Sequence, residues 1–222
     1  MYQLITILTA ALSVALLMFS AIVHEVAHGW VACKLGDPTA KNAGRLSLNP
    51  KAHIDPFGSI ILPLIMVLLN GPVFAYAKPV PYNPNNLRHP DRDEVLVALA
   101  GPCSNILQAL VGAALFNILY PIVPIELYGV WYWVLYILSS YVYVNLMLCF
   151  FNLIPLPPLD GSKIIMPFLH GNARMKYYEI QRYAMPILII VLYLVPMLLH
   201  VDPLGIYLDV TAGNLYSLLL GA

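Results

Sequence analysis

The sequence predicts an all-α polytopic integral membrane protein with a small re-entrant or β-strand element after its first helix. Hydrophobic residues make up 60% of the 222 residues, charged residues make up only 10%, and the mean hydropathy is +0.78. Soluble domains contain about 25% charged residues, so this composition indicates residence in a lipid bilayer. The 11 basic and 11 acidic residues cancel, and the charge balance therefore gives no reason to expect a nucleic acid partner.

Long apolar stretches predict where the helices lie. They cover residues 2–32, 57–74, 95–120, 127–155 and 184–199, with a weaker stretch from 204 to 222. A helix needs about 20 apolar residues to cross the bilayer, which the first, third and fourth stretches supply. The first stretch has no basic region before it and exceeds signal-peptide length, so we expect it to be retained. Without an internal repeat, the chain is predicted to be a single domain over residues 1–222.

The basic residues predict how the chain crosses the membrane. All 11 lie in three polar connecting segments, at residues 34–51, 78–92 and 163–182. The positive-inside rule places all three segments in the cytoplasm. A full crossing by residues 57–74 would separate the first two segments, so we predict that this stretch re-enters or lies shallow in the membrane, with a full span as the alternative. Pro63 and Pro72, which interrupt it, agree with this interpretation.

Two pieces beside the predicted re-entrant stretch have the composition of short strands, residues 45–48 and 73–80. Their alternation of apolar and polar residues is partial and Pro79 lacks a ladder donor, so irregular loop is the alternative interpretation. Strands at the membrane edge would offer a template for an extended peptide.

The pentapeptide His24-Glu25-Val26-Ala27-His28 lies in the last third of the first apolar stretch and has the pattern H-E-x-x-H. On a helix, residues four apart share a face, so the two imidazoles can hold one zinc ion with Glu25 beside it as a general base. A charged side chain at the centre of a membrane costs about 2.5–3.5 kcal/mol by insertion scales, so such residues indicate function. The motif therefore predicts a zinc hydrolase site inside the bilayer.

A catalytic zinc usually has three protein ligands, and Asp160 is the strongest candidate for the third. It lies in the segment Asn152-Leu-Ile-Pro-Leu-Pro-Pro-Leu-Asp160-Gly161, in which three prolines cannot continue a helix, so we expect extended backbone over residues 155–161. Two alternatives stay open: His53 as a rival ligand, and Lys163 as an ion-pair partner for Asp160. The three cysteines lack C-x-x-C spacing and indicate neither a disulfide framework nor a thiolate zinc site.

Three motifs together resemble those of the site-2 protease family of intramembrane zinc metalloproteases. They occur in the family's order and are HEVAH at 24–28, AGPCSN at 100–105 and NLIPLPPLDG at 152–161. The resemblance implies one Zn²⁺ per chain, held by His24, His28 and Asp160. It also implies Glu25 as the catalytic base and Asn152 as a residue that holds the substrate carbonyl or oxyanion.

The same resemblance implies an architecture and a location. A three-helix catalytic core would lie within residues 1–165, with helices starting near Tyr2, Val95 and Leu127, and C-terminal helices would occupy residues 166–222. The implied function is a zinc endopeptidase that cleaves peptide bonds within or near transmembrane helices of membrane protein substrates, as in regulated intramembrane proteolysis. The implied location is a bacterial or archaeal cytoplasmic membrane, with the active site towards the cytoplasm.

Other polar residues in the predicted helices have structural interpretations. Asn105, together with Gly101, is interpreted as a point of close helix approach, and Asn145 as a structural hydrogen-bonding residue. We expect Ser20 to face the protein-covered side of the first helix. Asn152 has the alternative interpretation of a residue that only bonds across helices.

Two further functions use the same residues. A zinc-binding membrane transporter would line an ion path with the histidines and the carboxylate. A proteolytically silent relative would bind membrane partners without cleaving them, which the intact set of ligands and base argues against. Glu25 discriminates between protease and transporter, because a protease needs it for turnover but not for retention of the metal.

Overall fold

The computed structural model describes residues 2–55, 61, 78–123 and 128–221. The helices within these residues are α1 (Tyr2–Lys34), α2 (Thr39–Asn42), α3 (Pro90–Leu119), α4 (Tyr128–Asn152), α5 (Asp160–Ile165), α6 (Asn172–Gln181), α7 (Ala184–Ile189), α8 (Val195–Leu199), α9 (Pro203–Leu208) and α10 (Asn214–Leu220). Single π-helical turns join α7 to α8 and α9 to α10. The predicted all-α fold class is confirmed.

Within the residues that the structure describes, three helices are long and apolar enough to cross a membrane. They contain the candidate spans Ile7–Lys34, Pro90–Leu119 and Gly129–Asn152. A bent pair, Asn172–Gln181 with Pro186–Leu198, turns by 80° and would add a fourth span if it crosses as one unit. The predicted multi-pass membrane protein is therefore confirmed.

Helix α3 begins five residues before the apolar stretch that predicted it. Pro90 occupies the first turn, where a missing N–H costs nothing, and Asp91 and Asp93 place negative charge at the positive end of the helix dipole. The Asp93 carboxylate accepts a hydrogen bond from the His89 amide at 2.9 Å. Hydropathy alone missed this start because the first turn is polar.

Helix α3 is the centre of the bundle and packs against both α1 and α4, which also contact each other. Small residues on α3 let α4 approach, and the resulting core contains Ala109, Ala113, Val142 and Leu146, with Ala212 from the C-terminal helices. Large apolar side chains on the outer faces stay exposed, among them Ile7, Val14, Leu107 and Ile118. Such a surface suits a lipid environment, where apolar side chains are not exposed to water.

The three basic segments lie at the same end of the bundle. The Arg88 amide donates to the Leu35 carbonyl at 3.2 Å, which joins the first segment to the second. An ion pair of 3.2 Å between Arg174 and Asp91 joins the second to the third. The Lys78 amide also donates to the His53 carbonyl at 2.8 Å, so the chain leaves and returns to one end. This arrangement agrees with the positive-inside pattern.

The predicted strand at residues 45–48 is wrong, because these residues are irregular. The Arg45 side chain, rather than a backbone ladder, donates to the carbonyls of Lys78 at 2.7 Å and Pro79 at 3.3 Å. The predicted re-entrant stretch at 57–74 and most of the predicted strand at 73–80 lie outside the described residues.

The segment between α4 and α5 turns where extended backbone was predicted. Helix α4 ends at Asn152, as the prolines require, but residues 153–159 then reverse direction and Asp160 opens α5. At Gly161 a side chain would collide with the carbonyl oxygens of Leu153 and Ile154. The glycine therefore allows the close turn that returns Asp160 to the bundle.

Asp37 organises the polar end of the bundle. Its buried carboxylate accepts hydrogen bonds from Thr39, from the Asn83 amide at 2.7 Å and from the Asn86 side chain at 2.8 Å. Burial by itself raises the pKa of Asp37, but these donors stabilise the carboxylate further and hold the pKa below its usual value.

We expect Asp37→Asn to lower the free energy of unfolding by about 1.5–3 kcal/mol, because an amide cannot accept all of these bonds. A carboxyl group whose pKa is lower in the folded state than in the unfolded state stabilises the fold at pH values above its unfolded pKa of about 3.9. This stabilisation is lost as the pH falls through the pKa of the folded state. The difference in Tm between wild type and variant should therefore be constant from pH 7 to about 5 and narrow below about 4. Asp202→Asn is the control, since asparagine caps the exposed start of α9 as well as aspartate does. Equal Tm values for wild type and Asp37→Asn at pH 7 would contradict this account.

Candidate active site

Three ionisable side chains from two helices meet in the interior of the bundle. The Nε2 atoms of His24 and His28 lie 3.0 Å apart. One oxygen, Oδ2 of Asp160, lies 3.0 Å from the first nitrogen and 3.2 Å from the second. All three residues are buried, and within the described part of the chain they form the one group of this kind that could hold a metal ion.

The folding of two elements brings these atoms together. His24 and His28 are one turn apart on α1, and Asp160 is the first residue of α5. Gly101 of α3 lies directly against the histidines, since a Cβ atom built there would overlap the Nε2 atoms of both. A side chain at position 101 would thus occupy the space in front of the three ligand atoms.

Each histidine has its other ring nitrogen engaged by an oxygen. Nδ1 of His24 lies 2.5 Å from Oδ1 of Asn105, and Nδ1 of His28 lies 2.6 Å from the carbonyl oxygen of Val97. Oxygen atoms of this kind accept hydrogen bonds, so each Nδ1 is placed as a donor. Both Nε2 atoms face the Asp160 carboxylate, and in a neutral ring with the proton on Nδ1 they would offer lone pairs to a metal ion.

The donor set fits zinc. Two imidazole nitrogens and a carboxylate oxygen can each bind Zn²⁺, and a metal ion can lie between them when both Nε2 atoms are unprotonated. Two imidazoles and one carboxylate form a ligand set that catalytic zinc uses, and tetrahedral bonds of 2.0–2.1 Å place ligand atoms about 3.3 Å apart. The observed separations of 3.0–3.2 Å are close to that value. Hydrogen bonds to the distal nitrogens are the usual support of zinc-binding histidines.

Glu25 lies outside the three-residue group. It is half-buried, and its Oε2 atom accepts a hydrogen bond of 2.8 Å from the backbone amide of Val80. Val80 stands between Pro79 and Pro81, which have no N–H, so its amide is the single backbone donor of that tripeptide. The glutamate carboxylate is therefore oriented by the polar segment that precedes α3, beside the ligand atoms but separate from them.

Three other residues considered from the sequence have different contacts. The Asn152 side chain donates to the Leu148 carbonyl at 2.9 Å, within its own helix. Nε2 of His53 donates to the Ser47 carbonyl at 2.7 Å, which keeps it out of the ligand group. The ammonium group of Lys163 lies 5.0 Å from the centre of the Tyr82 ring, so the contacts of Asp160 are with the histidines.

Sequence reasoning missed the role of Asn105. We interpreted it as a point of close helix approach, yet its side chain contacts His24 and is completely buried. The signal was present in the sequence, since an amide in an apolar helix needs a partner. Only the structure shows that this partner is a histidine of the H-E-x-x-H motif.

Comparison with known proteins decides the family. "Putative zinc metalloprotease YwhC" of Bacillus subtilis is 38% identical over 191 residues, which cover 86% of this chain and 80% of the relative. The family model of peptidase family M50 matches residues 123–195, which include Asn152 and Asp160. The chain belongs to peptidase family M50.

Two mycobacterial relatives that carry the same zinc metalloprotease designation agree with this membership. Rip2 of Mycobacterium tuberculosis strain H37Rv is 27% identical over 82% of this chain, and Rip2 of Mycolicibacterium smegmatis is 25% identical over 79%. This chain spans 66% and 64% of their respective lengths. No solved structure matches the chain.

Membership of M50 confirms the resemblance to the site-2 protease family. The protein is an intramembrane zinc metalloprotease whose cofactor is Zn²⁺ and whose substrates are membrane proteins within a bilayer. The transporter and the silent partner are not favoured. The position of Glu25 outside the ligand group agrees with the protease.

We expect Gly101→Ala to weaken zinc binding by about tenfold or more, because the new methyl group occupies space beside both Nε2 atoms. Competition with a chelator measures this affinity on purified protein. Gly112→Ala is the matched control on the same helix, since its methyl group would meet Val142 at 3.0 Å and disturb packing without reaching the histidines. Wild-type zinc affinity in Gly101→Ala would show that the ligand atoms do not face this position.

Proposed function

We propose that His24, His28 and Asp160 hold one zinc ion and that Glu25 is the general base in hydrolysis of peptide bonds. The observation that carries this proposal is the group of three buried side-chain atoms that can bind a metal, all within 3.2 Å of one another, together with the Glu25 carboxylate that the Val80 amide holds. The proposal places the site at the junction of α1, α3 and α5, where the bundle excludes lipid.

Each residue has a definite task in the proposed reaction. Zinc, when bound, supplies Lewis-acid polarisation and lowers the pKa of a water molecule to about 7. The Glu25 carboxylate accepts a proton from the attacking water and then donates it to the nitrogen of the leaving amine. Because the Val80 amide engages Oε2, we assign the proton transfer to Oε1. The hydrogen bond from Val80 fixes the position of Oε2 and so restricts the rotation of the carboxylate.

Asn152 is assigned to the substrate carbonyl. Its side-chain nitrogen has two N–H groups, and one of them donates to the carbonyl of Leu148. We assign the second N–H as the donor to the oxyanion that develops during hydrolysis, where a preformed donor has most effect. Asn152 is the last residue of α4, and only residues 153–159 separate it from Asp160. This short connection supports the assignment.

The proposed substrates are transmembrane helices of other proteins. A helix hides its carbonyl groups in hydrogen bonds, so it must unwind before cleavage, which favours sites near helix ends. The basic segments at one end of the bundle support an active site towards the cytoplasm, in a cell membrane. We further propose one domain over residues 1–222, with residues 1–165 as catalytic core and 166–222 as C-terminal helices.

Glu25→Gln tests the proposal. We expect wild type and variant each to hold about one zinc per chain, and the cleavage rate of a model transmembrane substrate in liposomes to fall by about 100- to 10,000-fold in the variant. Zinc content by mass spectrometry and product formation are measured on the same preparations. Glu179→Gln, an exposed change on α6, is the control and should cleave normally.

The alternative results are separable. Loss of zinc in Glu25→Gln would make Glu25 a ligand rather than a base. Normal cleavage by this variant would remove its proposed role. If wild type holds zinc, cleaves none of a broad substrate panel and carries zinc into liposomes in a Glu25-dependent way, the transporter replaces the protease.

A further inference from the structure

A series of hydrogen bonds between buried polar side chains runs from His24 on α1 through α3 and α4 and back to α1. Nδ1 of His24 donates to Oδ1 of Asn105 on α3, and Nδ2 of Asn105 donates to Oδ1 of Asn145 on α4 at 2.8 Å. Nδ2 of Asn145 donates to Oγ of Ser20 at 3.0 Å, one turn before His24 on α1. Ser20, Asn105 and Asn145 are each 0% exposed. We call Asn105 and Asn145 the amide relay.

One contact determines which group donates and which accepts in each hydrogen bond of this series. Nδ2 of Asn145 also donates to the backbone carbonyl of Tyr141 at 2.9 Å. A carbonyl only accepts, so this end of the Asn145 amide must be its nitrogen. Its oxygen then faces Asn105, which must present its nitrogen there. The oxygen of Asn105 is thereby turned towards His24.

We propose that the amide relay sets the tautomer of His24, so that Asn105 and Asn145 are positioning residues for zinc binding. With an oxygen in front of it, Nδ1 of His24 keeps its proton and Nε2 keeps the lone pair that a metal needs. The inference rests on the assignment of His24 as a zinc ligand in the proposed function.

The second residue of the relay controls the tautomer without touching the histidine. A side-chain amide that turns by 180° exchanges its donor and its acceptor. If Asn105 turned, its N–H groups would face Nδ1 of His24, which would then have to accept, and the proton would move to Nε2. Asn145 opposes this turn, because its oxygen already faces Asn105. His28 needs no such control, since its Nδ1 faces the backbone carbonyl of Val97, which cannot turn.

The test is a double-mutant cycle on zinc affinity in the full-length protein. Leucine has nearly the shape of asparagine without its polarity, so Asn105→Leu and Asn145→Leu remove one relay member each. We expect each variant to bind zinc about 10- to 100-fold more weakly than wild type in chelator competition. Because Asn145 acts only through Asn105, the double variant should bind no more weakly than Asn105→Leu alone.

Two controls separate the relay from a general loss of packing. Ser20→Ala should keep wild-type zinc affinity, because the Tyr141 carbonyl still fixes Asn145. Tyr216→Phe should also keep it, since this change removes the 2.6 Å hydrogen bond to Ser139 between α4 and α10, away from His24. Tm values of the metal-free proteins report any loss of structure that is independent of zinc.

Each outcome has one meaning. Wild-type zinc affinity in Asn145→Leu, or losses that multiply in the double variant, would overturn the relay. His24→Asn is included because wild-type zinc affinity in that variant would overturn the ligand assignment of the proposed function instead. If Asn145→Leu does not fold, ¹⁵N NMR of histidine-labelled, metal-free wild type decides, with His24→Asn used to assign the signal. A proton on Nδ1 of His24 supports the relay, and a proton on Nε2 overturns it.

Discussion

The structure depends on three potential metal-ligating atoms that the fold brings together inside an apolar bundle. Two imidazole nitrogens and a carboxylate oxygen lie within 3.2 Å of one another, where the low dielectric makes unpaired polar atoms costly. A bound cation would pair with all three atoms at once. The surrounding residues hold the arrangement: Gly101 leaves space beside the nitrogens, and the oxygens of Asn105 and Val97 accept hydrogen bonds from the Nδ1 atoms. The packing of the helices consequently determines the geometry of the proposed zinc site.

The bilayer imposes the second constraint, because the site lies inside an apolar bundle whereas some of the residues that form it come from polar segments. The ligand atoms lie inside the bundle, yet Asp160 and the amide that orients Glu25 belong to segments at the basic end. Irregular backbone at membrane depth is tolerated where protein covers it. The turn between α4 and α5 meets this condition through Gly161, which packs against the carbonyls of Leu153 and Ile154. A site close to one end of the bundle can thus combine a dry interior with access to water.

Much of the fold and of the candidate site could be predicted because the informative signals are local. Apolar stretches predict α1, α3 and α4, and helical spacing pairs His24 with His28. The errors concern contacts between segments distant in sequence. Asn105 could not be assigned to His24, 81 residues away, and the irregular path of residues 45–48 depends on an arginine that bonds to carbonyls 33 and 34 residues later. Prolines predict where α4 ends, but not that the chain then turns and starts α5 at Asp160.

X-ray absorption at the zinc K-edge of the purified wild-type protein tests the ligand set directly. The account predicts first-shell scattering from two imidazole nitrogens and otherwise oxygen, with zinc–nitrogen distances of about 2.0–2.1 Å, and loss of this signal in His24→Asn. Sulfur in the first shell would implicate one of the free cysteines. A third imidazole would bring His53 into the site. Either result would contradict the proposal that His24, His28 and Asp160 form the metal centre.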